Sequence, residues 1–128
     1  MPLPQIHHQE EGKKLQEIEF IEEDDYKSTE GTNATLYQLH DQCKLIIEIN
    51  GETYYAYQII YFSKNKITNF IEIEYRSSYT QRPNYDENDP KAMFTQTLFN
   101  PKSPLVQEKM SFIKKYINKT NLEKCESK

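Results

Sequence analysis

Few residues in this chain are spaced to do chemistry together. His7 and His8, followed by Glu10 and Glu11, carry side chains that can ligate a metal. They stand in a proline-containing N-terminal stretch, and a metal site needs donors held at fixed distances. The pattern therefore predicts no bound metal. His40 and Cys43 flank an Asp41-Gln42 turn and have the types of a base and a nucleophile. That chemistry also needs an orienting third group and oxyanion donors, and the sequence offers neither. Cys43 falls on the expected core side of a strand, which predicts a structural thiol. Glu72 and Glu74 alternate along a strand and so share a face, where two carboxylates can divide acid and base roles. The same alternation is how a solvated strand face is built. Asp86, Glu87 and Asp89 crowd a loop but lack the spacing and the glycine of a calcium loop. Three isolated glycines cannot cradle a phosphate. The sequence thus predicts a protein that is not an enzyme and that holds neither metal nor cofactor.

A chain of 128 residues has room for one domain. Its mean hydropathy of −0.91 predicts a modest core between polar ends. The net charge of −4 is mild but uneven. Residues 10–30 hold nine acids against three lysines, and residues 102–128 hold seven lysines against three glutamates. Neither block is basic enough to be a nucleic-acid arm. Two cysteines do not make a disulfide framework, so free thiols and a reducing compartment are expected, cytoplasmic or nuclear. The first residues show no apolar core of a secretion signal, and no apolar run is long enough to span a membrane. Asn33-Ala34-Thr35 and Asn118-Lys119-Thr120 match the N-glycosylation pattern. Without a secretion signal they are expected to be chance matches.

Those residues must be positioned by a small number of elements. Residues 1–12 and 118–128 have the composition of flexible tails around a domain over 13–117. In 13–26, Leu15, Ile18 and Ile21 recur at helical spacing among good helix formers. The alternation of Glu17, Ile18, Glu19 and Phe20 is the competing strand signal; helix is expected. Residues 34–40, 43–49, 52–62 and 67–76 alternate and are rich in β-branched and aromatic residues, which predicts four strands. Residues 93–99 make a fifth. Residues 27–33 and 77–92 are turn formers and predict loops. From 104 to 117 Leu105, Val106, Met110, Phe112, Ile113, Tyr116 and Ile117 line one broad helical face. Ser103 is the expected cap and Pro104 the first helical residue. The fold class is α+β: an antiparallel β-meander of four to five strands packed against a C-terminal helix, with a short N-terminal helix.

Asn50-Gly51 is a strong hairpin signal and Lys64-Asn65 a weaker one. Two-residue turns at both would put Leu45, Ile47, Ile49, Ala56, Ile60, Phe62, Ile67, Ile71, Ile73 and Tyr75 on a core face. The opposite face would carry Ile46, Tyr55, Tyr57, Ile59, Tyr61 and Phe70, bordered by Glu72 and Glu74. So many large side chains exceed the apolar patch a monomer normally leaves in water. Either the chain covers them itself, with 13–26 or 93–99, or another molecule does. The expected function is a non-enzymatic protein-interaction module: a subunit, adaptor or inhibitor. Those eight residues would be its partner-binding surface. The partner would be a protein with a basic surface or a second copy of the chain. Single-stranded nucleic acid stacked on the tyrosines is the alternative, disfavoured because glutamates rather than lysines accompany the rings.

The stretch IEIEYRSSYTQRPNY followed by FTQTLFNPK resembles the strand, proline turn and strand of the RWD and ubiquitin-conjugating-enzyme-like architecture. The resemblance covers residues 67–102. The paired prolines of that group are absent, with Pro83 and Pro90 standing apart, and no cysteine follows at a catalytic distance. It implies a non-catalytic, protein-binding module. An OB-like or PH-like small barrel ending in a helix is the other architecture this element order allows.

Overall fold

A computed structural model of the chain lays six strands side by side in chain order, each antiparallel to the last. They are β1 (Lys13–Ile18), β2 (Thr32–Gln38), β3 (Cys43–Asn50), β4 (Tyr54–Ser63), β5 (Lys66–Arg76) and β6 (Phe94–Phe99). Three helices follow: α1 (Pro104–Gln107), α2 (Lys109–Tyr116) and α3 (Lys119–Glu126). The structure describes residues 12–19, 21, 26, 31–51, 54–76 and 94–126. His7, His8, Glu10, Glu11, Asp86, Glu87, Asp89, most of the expected N-terminal tail and the loop 77–92 lie outside the described residues.

The α+β meander is present, with six strands rather than four or five. The extra strand is β1, where a helix was expected. Helix propensity is worth only tenths of a kcal/mol per residue. Pairing Glu17 with Thr35 and Ile18 with Ala34 satisfies the backbone and buries Ile18. Residues 119–126, expected as a polar tail, form α3. The Asn118 side-chain oxygen accepts the Asn121 N–H (2.9 Å), which starts that helix. The helix expected over 104–117 is interrupted at Glu108, giving α1 and α2. Ser103 sits at the cap position, but its side chain makes no capping bond.

The two hairpins resolve in opposite ways. Lys64 and Asn65 both have positive φ (52° and 66°), which makes this weaker signal the two-residue turn. Asn50-Gly51 is not one. Asn50 pairs with Tyr55, and each β3 residue meets β4 four positions further along than the tight turn predicts: Ile47 pairs with Gln58 rather than Tyr54. Four is even, so the faces of β3 and β4 are unchanged. In β5 they change. Phe62 pairs with Ile67, but Tyr61 pairs with Asn69, leaving Thr68 as a bulge. From 69 onward every β5 side chain is on the other face from the one expected.

The reason is polar. Without the bulge, Asn69 would lie in the core against Ile60 and Gln58 against Ile71. With it, Phe70 meets Ile60, Asn69 is exposed, and Gln58 meets Glu72. The Gln58 amide donates to Glu72 Oε2 (2.7 Å), and the Tyr26 hydroxyl donates to Gln58 Oε1 (2.6 Å). Burying amides unpaired would cost several kcal/mol.

Helices α1–α3 cover one face. Leu36, Leu45, Ile47, Ile60, Phe62, Ile67 and Phe70 pack there against Val106, Met110, Phe112, Ile113 and Ile117. Cys43 at the start of β3 is joined to Cys125 in α3 by a disulfide, with both residues fully buried. The expected free thiols are therefore corrected: neither cysteine is free. The bridge closes a loop of 82 residues, worth about 4–5 kcal/mol in the chain-entropy account.

Candidate functional site

The tyrosine face is built from alternate residues of β3, β4 and β5. Cross-strand pairs set Ile46 beside Ile59, Glu48 beside Tyr57 and Lys44 beside Tyr61. On the other side of β4, Ile59 meets Ile71, Tyr57 meets Ile73 and Tyr55 meets Tyr75. Of the eight residues expected on this surface, Ile46, Tyr55, Tyr57, Ile59 and Tyr61 share it. Phe70, Glu72 and Glu74 do not, because the Thr68 bulge turns them to the helix face. Ile71, Ile73 and Tyr75 take their place. The mismatched pairs Asn69–Ile60 and Gln58–Ile71 in the unbulged ladder are the sequence signal for that bulge.

The described strands of the two expected covers do not lie over the face. Residues 13–18 and 94–99 both join the sheet, as its opposite edges. The middle of the face is nevertheless closed: Ile59 is 1% exposed, and Tyr57 and Tyr61 are each 7% exposed. Ile46, Tyr57, Ile59, Tyr61 and Ile73 form a second buried cluster, with Tyr37, Leu39, Tyr55 and Ile71 partly buried against it. The Tyr55 and Tyr57 rings stack at 5.7 Å. Lys44 is 1% exposed, its ammonium 5.4 Å from the Tyr37 ring centroid, a cation–π distance.

Burial sets the electrostatics. It lifts the Glu48 carboxyl above the usual range. Burial also pushes the Tyr57 hydroxyl well above its ordinary value, helped by the Glu48 charge and then by Tyr55. Both shifts favour the protonated form over the ionised one, a consequence of packing.

Openness lies at one margin. Ile71 pairs with Leu98 of β6, and Leu98 is 70% exposed. Thr95, Gln96, Thr97 and Phe99 are exposed as well. Among the described residues no strand pairs with the outer side of β6. On the helix face Glu72 and Glu74 stand directly behind Thr97 and Thr95. Sequence reasoning missed this edge because it weighed faces; an uncharged run, TQTLF, at the last strand was the available signal.

The chemical candidates do not assemble. Cys43 is buried and disulfide-bonded, so it is no nucleophile for His40. Among the described residues no group of three metal-ligating side chains comes together. A shallow groove of about 250 Å³ at the β1–β2 edge is lined by Glu17, Ile18, Glu19, Asn33, Ala34 and Thr35, with no nucleophile paired to a base. Among the described residues no helix is long and apolar enough to cross a membrane. No known protein family matches the chain, and neither a curated protein nor a solved structure matches it.

Proposed function

We propose that the chain is a non-enzymatic protein-interaction module that takes an extended segment of a partner protein along the outer edge of β6. The observation that carries this reading is the row Thr95–Phe99, exposed, uncharged and terminal in the sheet. An open strand edge offers a line of backbone donors and acceptors to a new strand. Leu98, beside Ile71, continues the apolar tyrosine face to where a partner can reach it. The buried tyrosines serve as its rigid backing rather than as first contacts. Glu72 and Glu74, separated from the edge only by two threonines, favour a segment with Lys or Arg at alternate positions. The buried Cys43–Cys125 bridge favours an oxidising compartment over the cytoplasm or nucleus.

The test is capture with the wild-type chain and with Leu98→Lys, side by side. A charge on an edge strand blocks strand addition. A partner held by the wild type and lost by the variant, at equal melting temperature, supports the reading. Identical capture by both would sink it. Sedimentation of the two proteins separates a partner from a second copy of the chain.

A further inference from the structure

Helix α3 carries two features at its two ends that belong to one cellular chemistry. At its last turn Cys125 is bridged to Cys43, and a bridge of this kind is made where thiols are oxidised. At its start stands Asn118-Lys119-Thr120, and all three residues are exposed. We infer that Asn118 is an acceptor for an N-linked oligosaccharide, an assignment independent of the proposed binding edge.

The geometry leaves the reacting atom available without loss to the fold. Asn118 Oδ1 accepts the Asn121 N–H, and the Asn118 carbonyl accepts the Leu122 N–H. The Asn118 N–H donates to Gln16 Oε1 (3.0 Å). None of these bonds uses Nδ2, the atom that takes the sugar. In the transfer, Nδ2 attacks C1 of an oligosaccharide carried on a lipid diphosphate. The N–C1 bond forms, the C1–O bond to the diphosphate breaks and the diphosphate leaves with its electron pair. One amide proton is released, and nothing is oxidised or reduced. Oδ1 keeps its lone pairs, so the cap of α3 survives modification.

The second match behaves differently. Asn33 is half-buried at the second position of β2, with Glu48 directly opposite on the tyrosine side of the sheet. A sugar there would crowd that closed face. The inference is therefore for one acceptor out of two.

The experiment sends the full chain, behind a cleavable secretion leader, through eukaryotic cells. Intact mass is read before and after peptide-N-glycosidase treatment, on chain recovered from cells and medium together. One oligosaccharide is expected, with Asn118 returned as Asp by the enzyme. Thr120→Ala, which leaves the Asn118 cap in place, abolishes the mass shift, as does Asn118→Gln; Asn33→Gln keeps it whole. An unmodified Asn118, a sugar on Asn33 instead, or a shift that survives Thr120→Ala overturns the assignment.

Discussion

β1 and β6 are strands of equal length at opposite edges of one sheet, and they are dressed in contrary ways. β1 reads KKLQEI, with three charges, a Lys14–Glu17 ion pair (2.9 Å) and an irregularity at Leu15. Each of these blunts an edge against pairing. The helices then tie it down. Gln16 donates to the Tyr116 carbonyl (2.9 Å) and accepts from Asn118 and Asn121, and Asn121 also donates to the Leu15 carbonyl (3.2 Å). β6 reads FTQTLF, with no charge and an unbroken register against β5. The edge tied to α2 and α3 is guarded, and the other is regular and exposed. On that difference β6, and not β1, is the proposed docking edge.

The largest test of the contrast removes the anchor behind β1. Cys125→Ala frees α3 from β3, and losing a buried disulfide over so long a loop costs about 2–5 kcal/mol. The urea midpoint should fall accordingly, and with α3 loosened, β1 should lose its cover and self-association should rise. A variant within about 1 kcal/mol of wild type, still monomeric, would show that α3 does not guard this edge. The next effect is more local. Gln16→Ala removes the group that joins β1 to both the end of α2 and the start of α3. Leaving the Tyr116 carbonyl and the Asn118 N–H without it should cost about 1–3 kcal/mol. Loss of protection in β1 amides, with β6 amides unchanged in hydrogen exchange, would locate the damage.

The same contrast explains what could be read from the sequence. Strands β2 to β6 were legible because alternation and β-branched content survive any error in register. The faces of β3 and β4 were legible for a subtler reason: the Asn50 hairpin is longer than a tight turn by an even number of pairing positions, and an even error preserves the faces. The bulge at Thr68 is an odd error and exchanges Phe70, Glu72 and Glu74 with Ile71, Ile73 and Tyr75. Around β1, Leu15, Ile18 and Ile21 recur at helical spacing while Glu17 to Phe20 alternate as in a strand, and only pairing with β2 decides between them. The disulfide could not be read at all. Cys43 and Cys125 are distant in sequence, and α3, which carries Cys125 beneath the sheet, has the polar composition of a tail.

A smaller effect probes the closed middle of the tyrosine face against its open margin. Burial raises the folded-state carboxyl of Glu48 above its unfolded value. Its contribution to stability is therefore full when both states are protonated and is lost as pH rises through the raised value. Asn33 and Tyr57 face it across the strands, and Lys44 shares its face. Glu48→Gln should be more stable than wild type at neutral pH, with the gap closing as pH falls below about 4. A variant less stable at neutral pH would mean that the charged form is held by a partner stronger than the burial it suffers.

The smallest expected change in stability is the sharpest test of the two edges. Leu98→Lys alters a side chain already mostly in water, so the melting transition should move by less than about 0.5 kcal/mol. Its mirror, Lys14→Leu, gives up an exposed ion pair and takes β1 from three charges to two. If the charge at the edge alone decided docking, Lys14→Leu would move β1 toward strand addition as Leu98→Lys loses it. The bonds from Gln16 and Asn121 argue otherwise: β1 is held beneath the α2–α3 corner and interrupted at Leu15 whatever stands at 14. Lys14→Leu should therefore bind nothing new, while Leu98→Lys loses capture at unchanged stability. Capture gained at β1 would mean that charge alone, and not the helical cover, distinguishes the two ends of the sheet.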